Sequence, residues 1–421
     1  MRDLLITLFV FGSIPFILRQ PFYGVLMWTW LGLGNMHRLA WGFAVSMPFA
    51  LVVFLATFVG FLFMRNRPRT PLHPEAVLLA ILVLWMLICT TFAVFPEPAW
   101  GEWSRVWRIQ LGVLLTLLLV NSRQKIHLLV WVMVVSIGFY GVKGGIFTLL
   151  GGGANHVWGP EGSFVAGNNE IGLALLMTIP LLWYLARFTA QPWVSRGLYA
   201  SAMLSFVAIV GTQSRGAFVG MAVMGLMMFL KVRRKLLPLV FAVGFIALLP
   251  MIAPQAWFDR MHSIQNYEQD ASAMGRIRAW QKSIAIANER LTGGGLQYLA
   301  SGDGQDAHSI YFEVLSEEGY PGLLLFVAIL VLAWRRGTRI QRLARGHPAL
   351  DWARELAAMV QVSLLGYCTA GAFLGLAYFD FLYVLLISLL VLEDVVVAAL
   401  KTGDAVAAPA PLARNVALSR R

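Results

Sequence analysis

Long apolar runs recur along most of this chain and constrain its fold more than any other feature. Runs of about 17 to 25 mostly apolar residues are typical of helices that cross a membrane. Of the 421 residues, 59% are hydrophobic and only 13% are charged, whereas a soluble domain carries roughly twice that charged fraction. The sequence therefore predicts an all-α polytopic membrane protein, with no separate soluble domain beyond one modest insert.

The basic residues indicate how the chain is oriented. The formal net charge is +12, and much of it falls in short segments between the apolar runs. Such segments are typical of cytoplasmic loops, so the charge sets the topology and does not indicate a nucleic-acid partner. The clusters are Arg65, Arg67 and Arg69; Arg123 and Lys125; Lys231, Arg233, Arg234 and Lys235; and Arg335, Arg336, Arg339, Arg342 and Arg345.

Counting crossings from these loops predicts about 12 transmembrane helices, with both chain ends in the cytoplasm. The first 34 residues contain two short apolar pieces. If the N-terminus is cytoplasmic, the two pieces together can make only one net crossing, so we interpret them as a single interrupted span. Residues 1–253 and 310–402 then form the N-terminal and C-terminal membrane regions. Between them lies one long periplasmic, largely helical insert, residues 254–309, and residues 403–421 form a disordered cytoplasmic tail. The last span before the insert is predicted at residues 236–253.

The insert contains one regular segment. Apolar residues recur at helical spacing within residues 272–290, which predicts an amphipathic helix on or near the membrane surface. Three consecutive glycines, Gly293 to Gly295, are expected to end it.

Few charged residues fall on the predicted outer face. Arg215 lies in a tight turn, where an interfacial anchor is the simplest role. Arg276 and Arg278 begin the insert helix, where a solvated face is the simplest interpretation. Lys143 lies one or two turns below the outer surface, where an unpaired charge is costly and a functional role is favoured. Asp380 stands alone between the last two spans.

His308 lies where the insert re-enters the membrane, at the head of a helix. A single histidine is usually structural, but an imidazole can act as a base near neutral pH. Arginines on the same face suit a phosphorylated or pyrophosphorylated lipid, because guanidinium groups bind phosphate oxygens bidentately. The sequence lacks the common nucleotide-binding loops and zinc-protease motifs, and its two cysteines, Cys89 and Cys368, lie in apolar runs. We therefore expect neither a cofactor nor a metal.

Several motifs together resemble the O-antigen ligase and polymerase superfamily. His308-Ser309, followed by Glu317, Gly319 and Pro321-Gly322, is similar to that family's signature. Three further motifs occur in the expected order: Gly167-Asn168-Asn169-Glu170, Ser214-Arg215-Gly216-Ala217 and Gly275-Arg276-Ile277-Arg278-Ala279-Trp280. The N-terminal third resembles a branch described as O-glycosylation ligases, through Asn35-Met36-His37-Arg38-Leu39 and Lys143-Gly144-Gly145-Ile146-Phe147.

This resemblance implies an inverting, metal-independent glycosyltransferase in the inner membrane of a Gram-negative bacterium, with its active site facing the periplasm. The implied donor is a glycan on undecaprenyl pyrophosphate, and the acceptor of the ligases is the lipid A–core oligosaccharide. His308 is implied as a general base or acceptor-orienting group, and Arg215 and Arg276 as pyrophosphate ligands. Further substrate-binding residues are expected among Arg278, Lys143, Asp380, Ser309 and Glu317.

Other functions fit parts of the same pattern. Within the enzyme class, the acceptor could be a protein or a growing glycan chain. A transporter of lipid-linked glycans would also have about a dozen spans and buried charges. Transporters tend to contain inverted repeats with charges near the bilayer midplane. Here the charges cluster at one face and no repeat is evident, which favours the enzyme.

Overall fold

The computed structural model describes residues 1–65, 71–232 and 271–402, together with a few single positions between 235 and 247. These residues form helices and connecting turns, without a β-strand in the described part. Most of the predicted span 236–253, residues 254–270 of the insert and the tail 403–421 lie outside the described residues. The helices are α1 (Arg2–Arg19), α2 (Phe22–Gly34), α3 (Phe49–Leu62), α4 (Pro74–Thr91), α5 (Pro96–Leu119), α6 (Arg123–Leu150), α7 (Asn168–Phe188), α8 (Pro192–Gly211), α9 (Arg215–Lys231), α10 (Ala271–Glu289), α11 (Tyr298–Asp303), α12 (Ile310–Leu343), α13 (Asp351–Ala370) and α14 (Asp380–Thr402).

Seven of the described helices are long and apolar enough to cross a membrane. They are α4, α6, α7, α8, α12, α13 with its flanking turns, and α14. The all-α polytopic membrane fold predicted from the apolar runs is confirmed at this level. The count of about 12 crossings and the periplasmic position of the insert stay predictions.

The long helices alternate in direction and surround α7. Every residue of α7 from Ile171 to Ala186 is buried, and α7 packs against α6, α8, α9 and α13. We call the end where α5, α7, α9, α12 and α14 begin the site end. The opposite end, where α6 begins and α12 ends in several arginines, is called the basic end. The predicted insert helix is confirmed as α10, which packs against α12.

The first two helices form an antiparallel hairpin. The rings of Phe9 in α1 and Trp30 in α2 lie 5.5 Å apart. At the start of α1, Asp3 Oδ1 accepts hydrogen bonds from the backbone N–H groups of Gly42 (3.0 Å) and Ala44 (3.1 Å), near the site end. The two pieces therefore run in opposite directions along the bundle, and the number of times that they cross a membrane stays a prediction. The parity count assumed a chain start at the basic end, and the long-range bonds of Asp3 were not visible in the sequence.

Candidate functional site

A break in α12 determines the backbone of the site. Gly319 has φ 66° and ψ −169°, which no residue inside a helix adopts. Two residues later, Pro321 has no N–H to continue the helical hydrogen bonds. Carbonyl groups before the break therefore lose their partners within the helix and need others. One of them, Glu318 O, accepts a hydrogen bond of 2.9 Å from the indole N–H of Trp85 in α4.

The glycine segment 293–295 supplies the other partners. Gly294 N donates to Ser316 O (2.8 Å), and Gly295 N donates to Glu317 O (3.0 Å). Gly293 and Gly295 both have positive φ angles, which glycine adopts without strain. The three glycines thus do more than end α10, because they dock the end of the insert into the broken helix.

Two neighbouring glutamates in the break share one phenol. Tyr378 Oη lies 2.7 Å from Glu317 Oε2 and 2.9 Å from Glu318 Oε1. The other oxygen of Glu317 accepts from the backbone N–H of Gln297 at 2.7 Å. Burial raises the pKa of Tyr378 well above its ordinary value, and the two carboxylates raise it further, so the phenol is a protonated donor. Protein groups therefore occupy both oxygens of the predicted substrate ligand Glu317.

A polar cavity of about 320 Å³ opens at the site end, next to this cluster. It lies between the start of α5, the loop before α7, the segment around α11, the start of α12 and the loop before α14. Among the described residues that line it, the ionisable groups are mostly carboxyls, with a single arginine. They are Glu102, Arg105, Glu170, Asp306, Glu313, Glu317 and Tyr378.

Arg105 is the cation of the cavity wall. Its guanidinium carbon lies 3.4 Å from the ring centre of Phe164, and Glu102 pairs with it at 3.8 Å. A second guanidinium, Arg38, packs against Gly162 in the same loop. Burial lowers the pKa of Arg38, and the nearby charge of Arg105 lowers it further. Two arginines of the N-terminal region thus flank one short loop at the edge of the cavity.

The backbone that leads into α12 is held by aromatic contacts with α10. Trp280 stacks on Phe312, with ring centres 4.9 Å apart and planes 11° from parallel. The indole N–H of Trp280 also donates to Ala307 O at 3.0 Å. Ala307 lines the cavity. The helix start Gly275–Trp280 therefore positions the residues on either side of His308.

His308 lies beside the cavity in an unusual backbone conformation. Its φ angle is 46°, in the left-handed region, and its side chain is half-buried. Burial lowers the pKa of His308, while the nearby carboxylate of Asp306 raises it and Arg276 lowers it. The net direction is downward, so the imidazole is mainly neutral at neutral pH and can accept a proton. The structure therefore brings together His308 and Arg276, two of the three predicted catalytic residues, with Asp306 as a third group.

Arg215 begins α9 in the predicted tight turn. Ser214 caps the helix by accepting a hydrogen bond from Ala217 N (3.2 Å), and Asn168 Nδ2 donates to Thr212 O (2.8 Å). Gly216 packs against Phe373, in the same turn whose Gly371 packs against the first residue of α12. The starts of α9 and α12 are therefore neighbours at the site end. The side chain of Arg215 is half-buried and does not line the cavity.

The remaining predicted site residues occupy different environments. Ser309 precedes α12, and its hydroxyl is buried without a hydrogen-bond partner among the described residues. Asp380 begins α14, with its carboxyl against Gly32. Arg278 and Lys143 are exposed, and neither lines the cavity. The structure thus leaves Arg278 and Lys143 on the surface of their helices.

These features define a multi-pass helical membrane protein with a polar cavity at one end of its bundle. Residues 200–327 match the model of a family described as O-Antigen ligase, and residues 1–190 match a family of unknown function (DUF5935). The match over residues 200–327 supports an O-antigen ligase-like superfamily of the membrane glycosyltransferase type for this part of the chain. A search of curated proteins found no match to this chain.

The cavity joins the two matched regions. Glu102, Arg105 and Glu170 come from the first region, and Asp306 and Glu317 come from the ligase region. Sequence reasoning named Glu170 only as part of a family motif and missed Glu102 and Arg105, although these two are polar residues just before an apolar run. Their proximity to the ligase motif is a tertiary contact, which one sequence does not reveal.

Proposed function

We propose that this protein transfers a glycan from undecaprenyl pyrophosphate to the lipid A–core oligosaccharide, at the periplasmic face of a Gram-negative inner membrane. The observation that carries the proposal is the group formed by His308, Arg276 and Asp306 beside the polar cavity. The match to the O-antigen ligase family supports an enzyme over a transporter.

In the proposed reaction, the acceptor hydroxyl attacks the anomeric carbon of the donor glycan. His308 orients this hydroxyl and takes its proton as the new glycosidic bond forms. The bond between the anomeric carbon and the phosphate oxygen breaks at the same time, and undecaprenyl pyrophosphate leaves. Arg276 and Arg215 stabilise the charge on the leaving group, a role for which one donor contributes about 3 to 4 kcal/mol.

The cavity is better suited to sugar than to pyrophosphate. Among the described residues of its wall, Arg105 is the one arginine beside five carboxyls, so the wall offers few cations to a pyrophosphate. Carboxylates are instead good acceptors for sugar hydroxyl groups. We therefore assign Glu102, Glu170 and Asp306 to the glycan or the acceptor, and place the pyrophosphate on the side of Arg276 and Arg215. Ser309 and Asp380 are further candidates for contacts with substrate.

Transfer in vitro from purified lipid-linked glycan to lipid A–core tests this function. We expect product with the wild-type protein and severe loss with His308→Ala and with Arg215→Ala. Arg335→Ala, which removes an exposed arginine at the basic end, serves as the matched control and should retain activity. Wild-type product levels from both site variants would contradict the mechanism, and product formed only on a protein acceptor would redirect the choice of acceptor.

A further inference from the structure

A second cavity, of about 580 Å³, lies at the basic end of the bundle. It is formed by the segment leading into α4, the end of α5, and the parts of α12 and α14 that carry Arg336, Arg339, Glu393 and Asp394. It lies at the opposite end from the candidate glycosyl-transfer site, and the proposed reaction makes no use of it.

Its inner wall is a paired ion network. Arg336 binds Glu75 bidentately, with contacts of 2.7 and 2.6 Å, and its third nitrogen donates to Glu393. A guanidinium only donates, so His73 Nδ1 accepts from Arg336 at 3.2 Å. The other ring nitrogen, Nε2, then donates to Asp394 Oδ2 at 3.0 Å. These contacts hold α4, α12 and α14 together, and Asp394 takes part in the network while also lining the cavity.

The outer wall offers charges of both signs. Arg339 contacts Glu393 at 2.9 Å, yet its side chain is 67% exposed. Lys401 also lines the cavity and is exposed, and the side chain of Asp394 is 31% exposed. Among the described residues of the network and the cavity wall, three cations face three carboxylates, so their formal charges cancel. A ligand that carries both charges fits this wall better than an anion does.

An apolar groove of about 460 Å³ continues from this cavity between α4 and α5. The cavity and the groove share the residues Pro71, Leu72, His73 and Leu117. Further along, Ile81 and Leu84 line the groove and are 45% and 58% exposed, so the groove opens to the outside of the bundle. Because α4 is a candidate membrane span, the groove runs from the end of that span toward its middle.

We propose that the cavity and the groove together bind one zwitterionic phospholipid with a primary ammonium headgroup. The phosphate contacts Arg339 and Lys401, the ammonium donates to Asp394, and one acyl chain lies in the groove. Phospholipids with the same acyl chains gain equally from packing in the groove. The headgroup contacts therefore decide which lipid binds. A trimethylated ammonium carries no N–H and cannot donate to Asp394.

The test uses the purified full-length protein and three phospholipids with identical acyl chains. Phosphatidylethanolamine, phosphatidylcholine and phosphatidylglycerol are compared by native mass spectrometry in competition. We expect the ethanolamine lipid to bind on the order of tenfold tighter than the choline lipid, as a charge-assisted hydrogen bond provides. Equal binding of these two lipids would overturn the proposal.

Variants distinguish the contribution of the lipid headgroup to binding from that of the acyl chain. Asp394→Asn keeps an acceptor for His73 but leaves one net positive charge, so it should lose the ethanolamine preference and bind the glycerol lipid more tightly. Lys401→Gln should weaken all three lipids, whereas Arg335→Gln, exposed on the same helix as Arg339 but outside the cavity, should change none. Ala80→Phe, which fills the groove, should weaken all three without changing their order. An unchanged preference in Asp394→Asn, or unchanged binding in Ala80→Phe, would contradict the headgroup or the chain assignment respectively.

Discussion

The two ends of the helix bundle treat buried charge in opposite ways. At the basic end, Arg336 is neutralised by Glu75 and Glu393, and Arg187 pairs with Glu355 at 2.5 Å. Each of these pairs joins two helices that are distant in sequence. Buried charges are tolerated when they are paired and hydrogen-bonded, so this end has the features of a structural clamp.

At the site end, several buried polar atoms have no protein partner. Among the described residues, Ser309 Oγ, Glu318 Oε2 and Asp380 Oδ1 are buried without a hydrogen bond. The carboxyls of the cavity wall outnumber the cations there. Unsatisfied groups of this kind cost stability, and the basic end also has some, at Arg123 Nε and His127 Nδ1. The two ends therefore differ in their charged groups: interhelical ion pairs hold the basic end together, whereas the cavity wall of the site end is rich in carboxyls.

The largest expected effect is on activity at the site end. His308→Asn should lower the rate of glycan transfer by about 10²- to 10⁴-fold, the usual contribution of a general base. Asparagine tolerates the left-handed backbone conformation of residue 308, so the loss reports the imidazole rather than strain. The measurement is kcat, with the melting temperature in detergent as the control. Activity near the wild-type level would reduce His308 to a structural residue.

A substitution in the ion network of the basic end should lower the stability of the protein rather than act on the transfer reaction. Arg336→Met leaves Glu75 and Glu393 buried without their cation, which costs about 3–5 kcal/mol. We expect a clear fall in the melting temperature. The matched change Arg335→Met removes an exposed arginine from the same helix and should have little effect. An unchanged melting temperature in Arg336→Met would remove the distinction between the two ends.

Gly319→Ala tests the backbone that shapes the site. The residue has φ 66°, and an added Cβ would lie 2.3 Å from Leu291 O. Strain of this kind costs roughly 1–3 kcal/mol, so the variant should have a lower melting temperature. It should also lose transfer activity, because the backbone around the cavity is distorted. Gly225→Ala is the control, because a Cβ there meets no atom within 4 Å and lies in the regular helix α9. Equal melting temperatures and activities of the two variants would argue against the docking of residues 293–295 into the break at Gly319.

The smallest expected effect is a shift in pH dependence. The active form of His308 is neutral and is lost as pH falls through its pKa, which lies below the ordinary histidine value. The carboxylate of Asp306 raises that pKa, so Asp306→Asn should lower it and move the acid limb of kcat/KM to lower pH. The profile of Glu161→Gln, an exposed carboxylate outside the cavity wall, should not move. A shift to higher pH in Asp306→Asn would contradict the assignment of the base.

Local patterns in the sequence predicted the parts of the structure that depend on local physics. The apolar runs predicted the membrane helices, and the spacing of Met274, Ile277 and Trp280 predicted α10. The position of His308 at the head of a helix also follows from the sequence. The ion pairs of Arg336, the cavity position of Arg105 and the antiparallel path of α1 do not. Each depends on contacts between segments far apart in the chain, for which a single sequence carries no signal.

The docking of the glycine segment into the broken helix has a mechanical consequence. Three glycines in a row usually provide a flexible joint, but here Gly294 and Gly295 are fastened by their amide groups to the carbonyls of Ser316 and Glu317. These two hydrogen bonds attach the segment that follows α10 to the part of α12 before the break, and they restrict the motion that three glycines would otherwise allow. A displacement of α10 on binding a bulky acceptor would be passed directly to the backbone that carries His308.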